Sequence, residues 1–142
     1  METEKSCGAI IFRKEDDNIL FLLVRYVNEP DYWGLVKGHV ENDETEVDTA
    51  IREIREETGI EEFSFLDCFR ETERYSPKEG VVKDVVFFLA ETEDSEVTLE
   101  REELDDFAWL KLEDALKRLK FRSNKEILKR AYDRIEEVYN RR

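Results

Sequence analysis

Residues 38–60, GHVENDETEVDTAIREIREETGI, decide how the rest of the chain is read. Val47, Ala50, Ile51, Ile54 and Thr58 recur at the three- and four-residue spacing of one apolar stripe, which predicts a helix. Thr45 supplies a capping hydroxyl, and Asp48, three residues on, completes a near capping box. Gly59 is the residue type that commonly ends a helix in the left-handed conformation. At about 100° per residue, Glu53, Glu56 and Glu57 fall within an arc of roughly 100° on the side away from the stripe, with Glu46 near its edge.

A run of charge on a helix is usually a solvated face. Such a face gains from Glu followed four residues later by Lys or Arg, whereas Glu53 is followed by Glu57, a like-charge pair that is mildly destabilising. A cation offsets that repulsion. Carboxylates suit a hard divalent ion such as Mg²⁺, which is held through a few oxygens and keeps water and substrate phosphates in its other positions. Gly38, just before the helix, permits a tight turn and lets its carbonyl approach an ion.

Gly38, five residues, Glu44, seven residues, Arg52, Glu53 and Ile54, one residue, Glu56 and Glu57, one residue, then Gly59 and Ile60: this pattern resembles the Nudix box at every defined position. The resemblance implies a loop, helix and loop that bind Mg²⁺, with Mn²⁺ as an alternative, to hydrolyse nucleoside diphosphates linked to another group. It implies metal ligation by Gly38 O, Glu53, Glu56 and Glu57, and structural places for Glu44 and Gly59. Arg52 suits orienting a carboxylate through a forked pair of hydrogen bonds better than touching substrate. The general base is expected to be a glutamate of the box helix, such as Glu56, or of a later loop. Glu103, six residues before Trp109, is the loop candidate and is also expected to join the metal shell, with Glu100, Glu102, Asp105 and Asp106 as competitors.

The chain of 142 residues is most simply a single domain over residues 1–142, large enough for a core without disulfides or structural metal. It begins METEKSCGAI, lacks a signal-like start, and has no apolar run of membrane-spanning length, so a soluble, cytoplasmic protein is expected. Cys7 and Cys68 fall on expected strands without metal-ligand spacing, which predicts buried free thiols, and a lone His39 cannot build a zinc site. A formal charge of −14 repels nucleic acid and anionic membranes. The expected partner is a nucleotide-sized substrate that arrives with metal ions and meets locally placed bases; a monomer or weak dimer is expected. With 42% charged residues, no glutamine and one Met, the composition is of the kind found in proteins from hot environments.

Along the chain, residues 6–12 (SCGAIIF) and 19–24 (ILFLLV) predict a hairpin whose second strand is buried on both faces. Residues 28–37 read as irregular chain around Pro30 and Gly34, with Tyr32 or Trp33 either packing in the core or lining a pocket for a base. Residues 63–69 read as a half-buried strand, 70–80 as a loop or hairpin extension, and 81–90 as a strong strand interrupted by Lys83. Val97 and Leu99 suggest an edge strand in an acidic, exposed stretch, and 107–110 another strand. A short helix over 113–120 precedes a long one capped by Ser123 and Glu126, with Ile127, Ala131, Ile135 and Val138 on its stripe. This order of elements predicts an α/β fold in which a mixed sheet lies between helices, an α/β/α sandwich like the Nudix fold.

Outside the box, WGLVKGHVE (33–41), SCGAIIF and Lys83 with VVFFLAE are similar to the asymmetric dinucleoside tetraphosphate hydrolases of that family. This similarity implies cleavage of diadenosine tetraphosphate to ATP and AMP, phosphate contacts from Lys37, His39 and Lys83, and base contacts from Tyr75 and Phe121. His39 alternatively serves as a donor behind the metal ligands. The chain departs from that pattern at Val36, where many relatives have proline, while Pro77 lies near a proline diagnostic of some ADP-ribose hydrolases. The rival expectations are hydrolysis of ADP-ribose or of damaged nucleoside triphosphates, and a noncatalytic Nudix-fold binding protein.

Overall fold

β1 (Glu2–Glu15) and β2 (Asn18–Tyr26) form the expected antiparallel hairpin, turning at Asp16, whose φ of 57° is left-handed. The computed structural model describes residues 2–28 and 32–140; Pro30 lies outside them. Beyond the hairpin come β3 (Trp33–Gly34), β4 (Val36–His39), α1 (Glu46–Thr58), β5 (Ser64–Phe65), β6 (Glu71–Lys78), β7 (Val81–Glu91), β8 (Leu104–Leu110), α2 (Leu112–Arg118) and α3 (Arg122–Tyr139).

β1 is the spine. Its later half pairs with β2 and its earlier half with β4, both antiparallel, while β7 runs parallel to it along its other edge. The eight-stranded sheet is therefore mixed, ordered β3-β2-β1-β7-β5, with β4 on β1, β6 on β7 and β8 on β2. Alternation along the strands makes two cores. Ile10, Phe12, Phe21, Leu23, Val85, Phe87 and Leu89 face α2 and α3, where Ala115, Leu119, Ile127, Leu128, Ala131 and Ile135 meet them. Ala9, Ile11, Leu22, Val24, Val36 and Ala90 face α1 through Ile54. With helices on both faces, the α/β/α sandwich expected from the sequence is what forms. Truncating the fully buried Ile54 to Ala would cost about 2–5 kcal/mol through lost transfer energy and a cavity.

α1 has both predicted ends. The Thr45 side chain accepts from Asp48 N at 3.0 Å, Thr45 N donates to Asp48 Oδ2, and Gly59 closes the helix at φ 72°. Its buried face differs from the apolar stripe. Val47 is 40% exposed, whereas Glu53 and Glu57 are 6% and 1% exposed. The reason is tertiary: β4 packs on one side, and residues 98–100 dock on the last turn through Thr98 N to Thr58 O (2.9 Å) and Glu100 N to Glu57 O (3.1 Å). The predicted edge strand at Val97 and Leu99 is that docking segment, irregular chain spent on α1 rather than on the sheet.

Other expectations need correction. The stretch before the box holds two short strands, β3 and β4, so Gly38 belongs to a strand paired with Cys7 rather than to a tight turn. Residues 63–69 keep only β5, while of the two readings of the charged stretch 70–80 the hairpin extension is the one that forms: β6 pairs antiparallel with β7 as a largely exposed edge strand. Cys7 is buried on β1, but Cys68 is exposed in a turn at φ 63°. α3 begins at Arg122 with Phe121 at its N-cap, which puts Ser123 inside the first turn, past the position where its hydroxyl would cap. Val138 is exposed, and the last turn of α3 meets the sheet instead through Tyr139, whose hydroxyl donates to Glu91 and whose ring lies under Lys14. Among the described residues, no helix is long and apolar enough to cross a membrane.

Candidate active site

Alternation in β4 sets up the site. Gly38, opposite Cys7, faces α1, while Lys37 and His39, opposite Gly8 and Ser6, face the other side of the sheet. α1 approaches so closely that a Cβ on Gly38 would overlap the Glu53 carboxylate. Glycine is required here for space rather than for its backbone freedom.

Arg52 organises the carboxylates around it. It grips Glu44 with a fork, Nε to Oε2 at 2.7 Å and Nη2 to Oε1 at 3.1 Å, and Nη2 also donates to His39 O at 2.9 Å. Its Nη1 donates to Glu53 at 2.9 Å and to Glu56 at 3.1 Å. The same Glu44 accepts from Thr49 Oγ1 at 2.9 Å and from Glu41 N at 3.0 Å. Hydrogen bonds from Arg52, then from the Glu41 backbone, hold the Glu44 carboxyl down at about 2. Glu44 and Arg52 thus clamp the loop before α1 to the helix, the forked arrangement expected for that arginine.

Glu57 presents the opposite situation. Both of its oxygens are buried without a hydrogen-bond donor. They stand against the carboxylates of Glu53 and Glu103, so acceptor meets acceptor. Burial first, then these neighbours, push the Glu57 carboxyl far above the usual carboxylate range. Burial raises Glu53 too, with Arg52 opposing it. Such a cluster calls for a proton or a cation between its members. Among the described residues no three His, Cys, Asp or Glu side chains stand ready-set as a metal-ligand group. The donor chemistry nonetheless fits a hard divalent ion: oxygen-only groups, two carboxylate oxygens without partners, and a strand carbonyl at a residue that bears no side chain.

The cluster opens into a cavity of about 860 Å³, a volume suited to a nucleotide-sized molecule. Of the residues singled out in the sequence, Lys37, Gly38, His39, Arg52, Glu53, Glu56, Glu57, Tyr75, Lys83, Glu103 and Phe121 all line it. Glu44 and Gly59 act behind it, as the clamp and the helix end; Gly59 also passes Thr98 where a Cβ would be crowded. Among the competitors of Glu103, Glu100 reaches the cavity, whereas Asp105 is held by Arg25 at 2.7 and 3.1 Å.

Tyr75 on β6 lies opposite Lys83 on β7, so the two share one face of the sheet. Burial lowers the Lys83 pKa, with Glu4 and Glu73 opposing. Tyr32 stacks on Tyr26 at 4.7 Å and meets Phe121 edge-on at 5.1 Å. Tyr26 is fixed by its hydroxyl, which donates to Leu35 O at 2.5 Å. So Tyr32, not Trp33, is the ring of that pair that lines the cavity; Trp33 packs against the α2/α3 core. Sequence reasoning missed Ser6, Tyr26, Asn28, Glu41, Glu73 and Ser76, which also line it. Only strand register could have revealed Ser6 and Glu73, which lie in one row with His39 and Val85 across β4, β1, β7 and β6.

The model of the NUDIX domain matches residues 3–131. Over 137 residues the chain is 34% identical to bis(5'-nucleosyl)-tetraphosphatase [asymmetrical] of Mus musculus, covering 90% of this chain and 92% of that protein. It is 36% identical over 115 residues to the protein of that name from Caenorhabditis elegans, with 80% and 83% covered. A crystal structure of a C. elegans Ap4A hydrolase binary complex superposes with a TM-score of 0.84 at 32% identity, over 93% of this chain and 96% of that one. The box clamped by Arg52, the mixed sheet between helices and these matches agree: the chain belongs to the Nudix domain family.

Proposed function

We propose that this protein is a metal-dependent hydrolase that cleaves diadenosine tetraphosphate asymmetrically, to ATP and AMP, as a single Nudix domain over residues 1–142. The observation that carries the reading is that one cavity is lined both by the donor-less Glu57 carboxylate and by Tyr75, Lys83 and Phe121. Its similarity to asymmetric tetraphosphatases over nearly the whole chain supports the choice of substrate.

In this reading Glu53, Glu56, Glu57, Glu103 and Gly38 O hold Mg²⁺, or Mn²⁺ in its place. Bound there, the ion supplies Lewis-acid neutralisation of phosphate charge and eases deprotonation of water. Lys37, His39 and Lys83 contact phosphate oxygens, a job suited to hydrogen-bond donors, two of them lysines, that line a cavity in an otherwise acidic protein. Tyr75 and Phe121 offer faces to the base. Glu103, at the cavity end of the docking segment, takes the proton of the attacking water, and Glu56, tied to Arg52, is the alternative. Two free cysteines suit a cytoplasmic setting, and we take the protein to act as a monomer or weak dimer.

The test is hydrolysis of diadenosine tetraphosphate with Mg²⁺ in ¹⁸O-labelled water, with products read by mass. ATP with labelled AMP is expected and locates attack at the phosphorus next to adenosine. A folded, metal-loaded protein that leaves this substrate intact while releasing AMP and ribose phosphate from ADP-ribose would overturn the assignment.

A further inference from the structure

Among the described residues, only Ser6, Arg13 and Glu57 carry buried side-chain polar atoms without a hydrogen-bond partner. Arg13 is otherwise engaged, donating to Glu15 at 3.0 Å and lying over the Trp109 ring. The other two line the same cavity. Coincidence of orphaned polar atoms with a cavity is informative, because an unmade buried hydrogen bond destabilises a fold and persists where a ligand completes it. A cation accounts for Glu57. Nothing said so far accounts for Ser6, whose residue is 0% exposed and whose Oγ has no partner.

Strand register surrounds Ser6 with the cavity's basic groups. It lies opposite His39 on β4 and opposite Val85 on β7; Lys37 stands one row away beside Gly8, and Lys83 one row away beside Glu4. All of these positions share the sheet face turned from α1. Ser6 therefore sits between His39 and Val85, with Lys37 and Lys83 in the adjoining rows and Glu73 beyond Val85, and it is covered by the residues around it. We infer that Ser6 is a phosphate-binding residue: its hydroxyl donates to a non-bridging oxygen of the substrate's polyphosphate once the covering side chains draw onto that anion. A hydroxyl at this position can donate to a phosphate oxygen without adding charge, which the nearby Lys37 and Lys83 supply.

The inference rests on the phosphate contacts proposed above, so its test is made independent of any nucleoside. Magnesium tripolyphosphate binding is measured by calorimetry on wild type, Ser6→Ala and Ser6→Cys, alongside the melting temperature of each metal-free protein and KM for diadenosine tetraphosphate. Both variants are expected to bind tripolyphosphate about tenfold more weakly, as befits loss of one hydrogen bond to a charged group. The Ala variant is expected to melt at the same or a higher temperature, since it removes an unsatisfied buried group. Alanine leaves the site slightly underfilled and cysteine slightly overfilled while both lack the strong donor, so one packing defect does not explain an equal loss in both, and the melting temperatures expose any that arises. Unchanged affinity in both variants, weakened affinity only where the melting temperature falls, or no tripolyphosphate binding by wild type would each overturn the inference. Weaker tripolyphosphate binding in the variants of a protein that never cleaves diadenosine tetraphosphate would instead keep the Ser6 role and reject that substrate.

Discussion

Gly38 and Glu53 compete for one space: the Glu53 carboxylate stands where any side chain on residue 38 would begin. Arg52 ties the helix to the strand by donating from Nη2 to His39 O, and it holds the Glu53 carboxylate beside that contact through Nη1. Gly38→Ala should therefore leave the fold in place, since a carboxylate at the end of a flexible side chain can swing away. Its cost falls on the site. A displacement of about 1 Å at a catalytic group is worth roughly 100-fold in rate, and that loss is expected in kcat with the melting temperature changed little. Wild-type turnover in Gly38→Ala would mean that the position of Glu53 is not critical.

Glu57 is destabilising without a cation, because two buried acceptor oxygens face other acceptors. Mg²⁺ bound only by the folded protein should raise its stability by about 2.7 kcal/mol at a hundredfold excess over Kd, a shift of roughly 5–10 °C for a chain of this size. Glu57→Gln supplies an amide donor to its neighbours and removes a ligand. The metal-free variant should match or exceed wild type in melting temperature and should lose most of the Mg²⁺-dependent rise. Equal Mg²⁺ shifts in both proteins, read by thermal unfolding with and without chelator, would exclude Glu57 as a ligand.

A different carboxylate governs acid stability. Glu46, in the first turn of α1, accepts from Arg70 at 2.8 Å through both oxygens and from Lys5 at 2.5 Å, pinning the helix start to β1 and to the segment before β6. The Arg70 and Lys5 bonds hold its carboxyl down at about 2, from an ordinary 4.5. The folded pKa is depressed, so the stabilisation is full above pH 4.5 and is lost as pH falls toward 2. For this partly exposed cluster the contribution is about 1 kcal/mol after solvent screening. Glu46→Gln should unfold more easily than wild type in urea at pH 7, and the two should converge near pH 2. A difference that persists unchanged at low pH would point to packing rather than to the ion pairs.

These tests separate what local sequence rules specify from what assembly adds. Thr45, Asp48 and Gly59 announce the ends of α1 because capping is a matter of a few adjacent residues. The three helix glutamates proposed as ligands, Glu53, Glu56 and Glu57, are legible because their spacing is fixed within that helix. The burial of Glu53 and Glu57 was not legible: it comes from β4, whose Gly38 meets the Glu53 carboxylate, and from Thr98 and Glu100, distant in sequence, which donate to the last carbonyls of α1. β6 was legible only as one of two alternatives, a hairpin extension or a loop, because an edge strand needs only its backbone to pair and can carry polar side chains. Ser6 and Glu73 escaped notice for a related reason. Their neighbours are set by the register of four strands, and a serine on an apolar strand or a glutamate on a charged one carries no local signal.

The docking segment also decides which loop carboxylate can act. Glu103 N donates to Glu100 O at 3.2 Å, and Glu103 O accepts from Val27 N at 2.9 Å, so the backbone at this position is held from both sides. Its side chain lies in the cavity beside Glu57, whereas Glu102 is exposed and does not line it. If Glu103 accepts the proton of the attacking water, Glu103→Gln should lower kcat by about 100-fold or more, the range expected for loss of a general base, and Glu102→Gln should stay near wild type. Mg²⁺ stabilisation measured on the same variants separates the proton-accepting role from a ligand role. A Glu103 that only binds metal loses the thermal shift along with the rate, and excess Mg²⁺ restores both. A Glu103 that serves as base leaves kcat low at saturating metal. Equal rates in the two glutamine variants would move the search to Glu56, which lines the same cavity from α1.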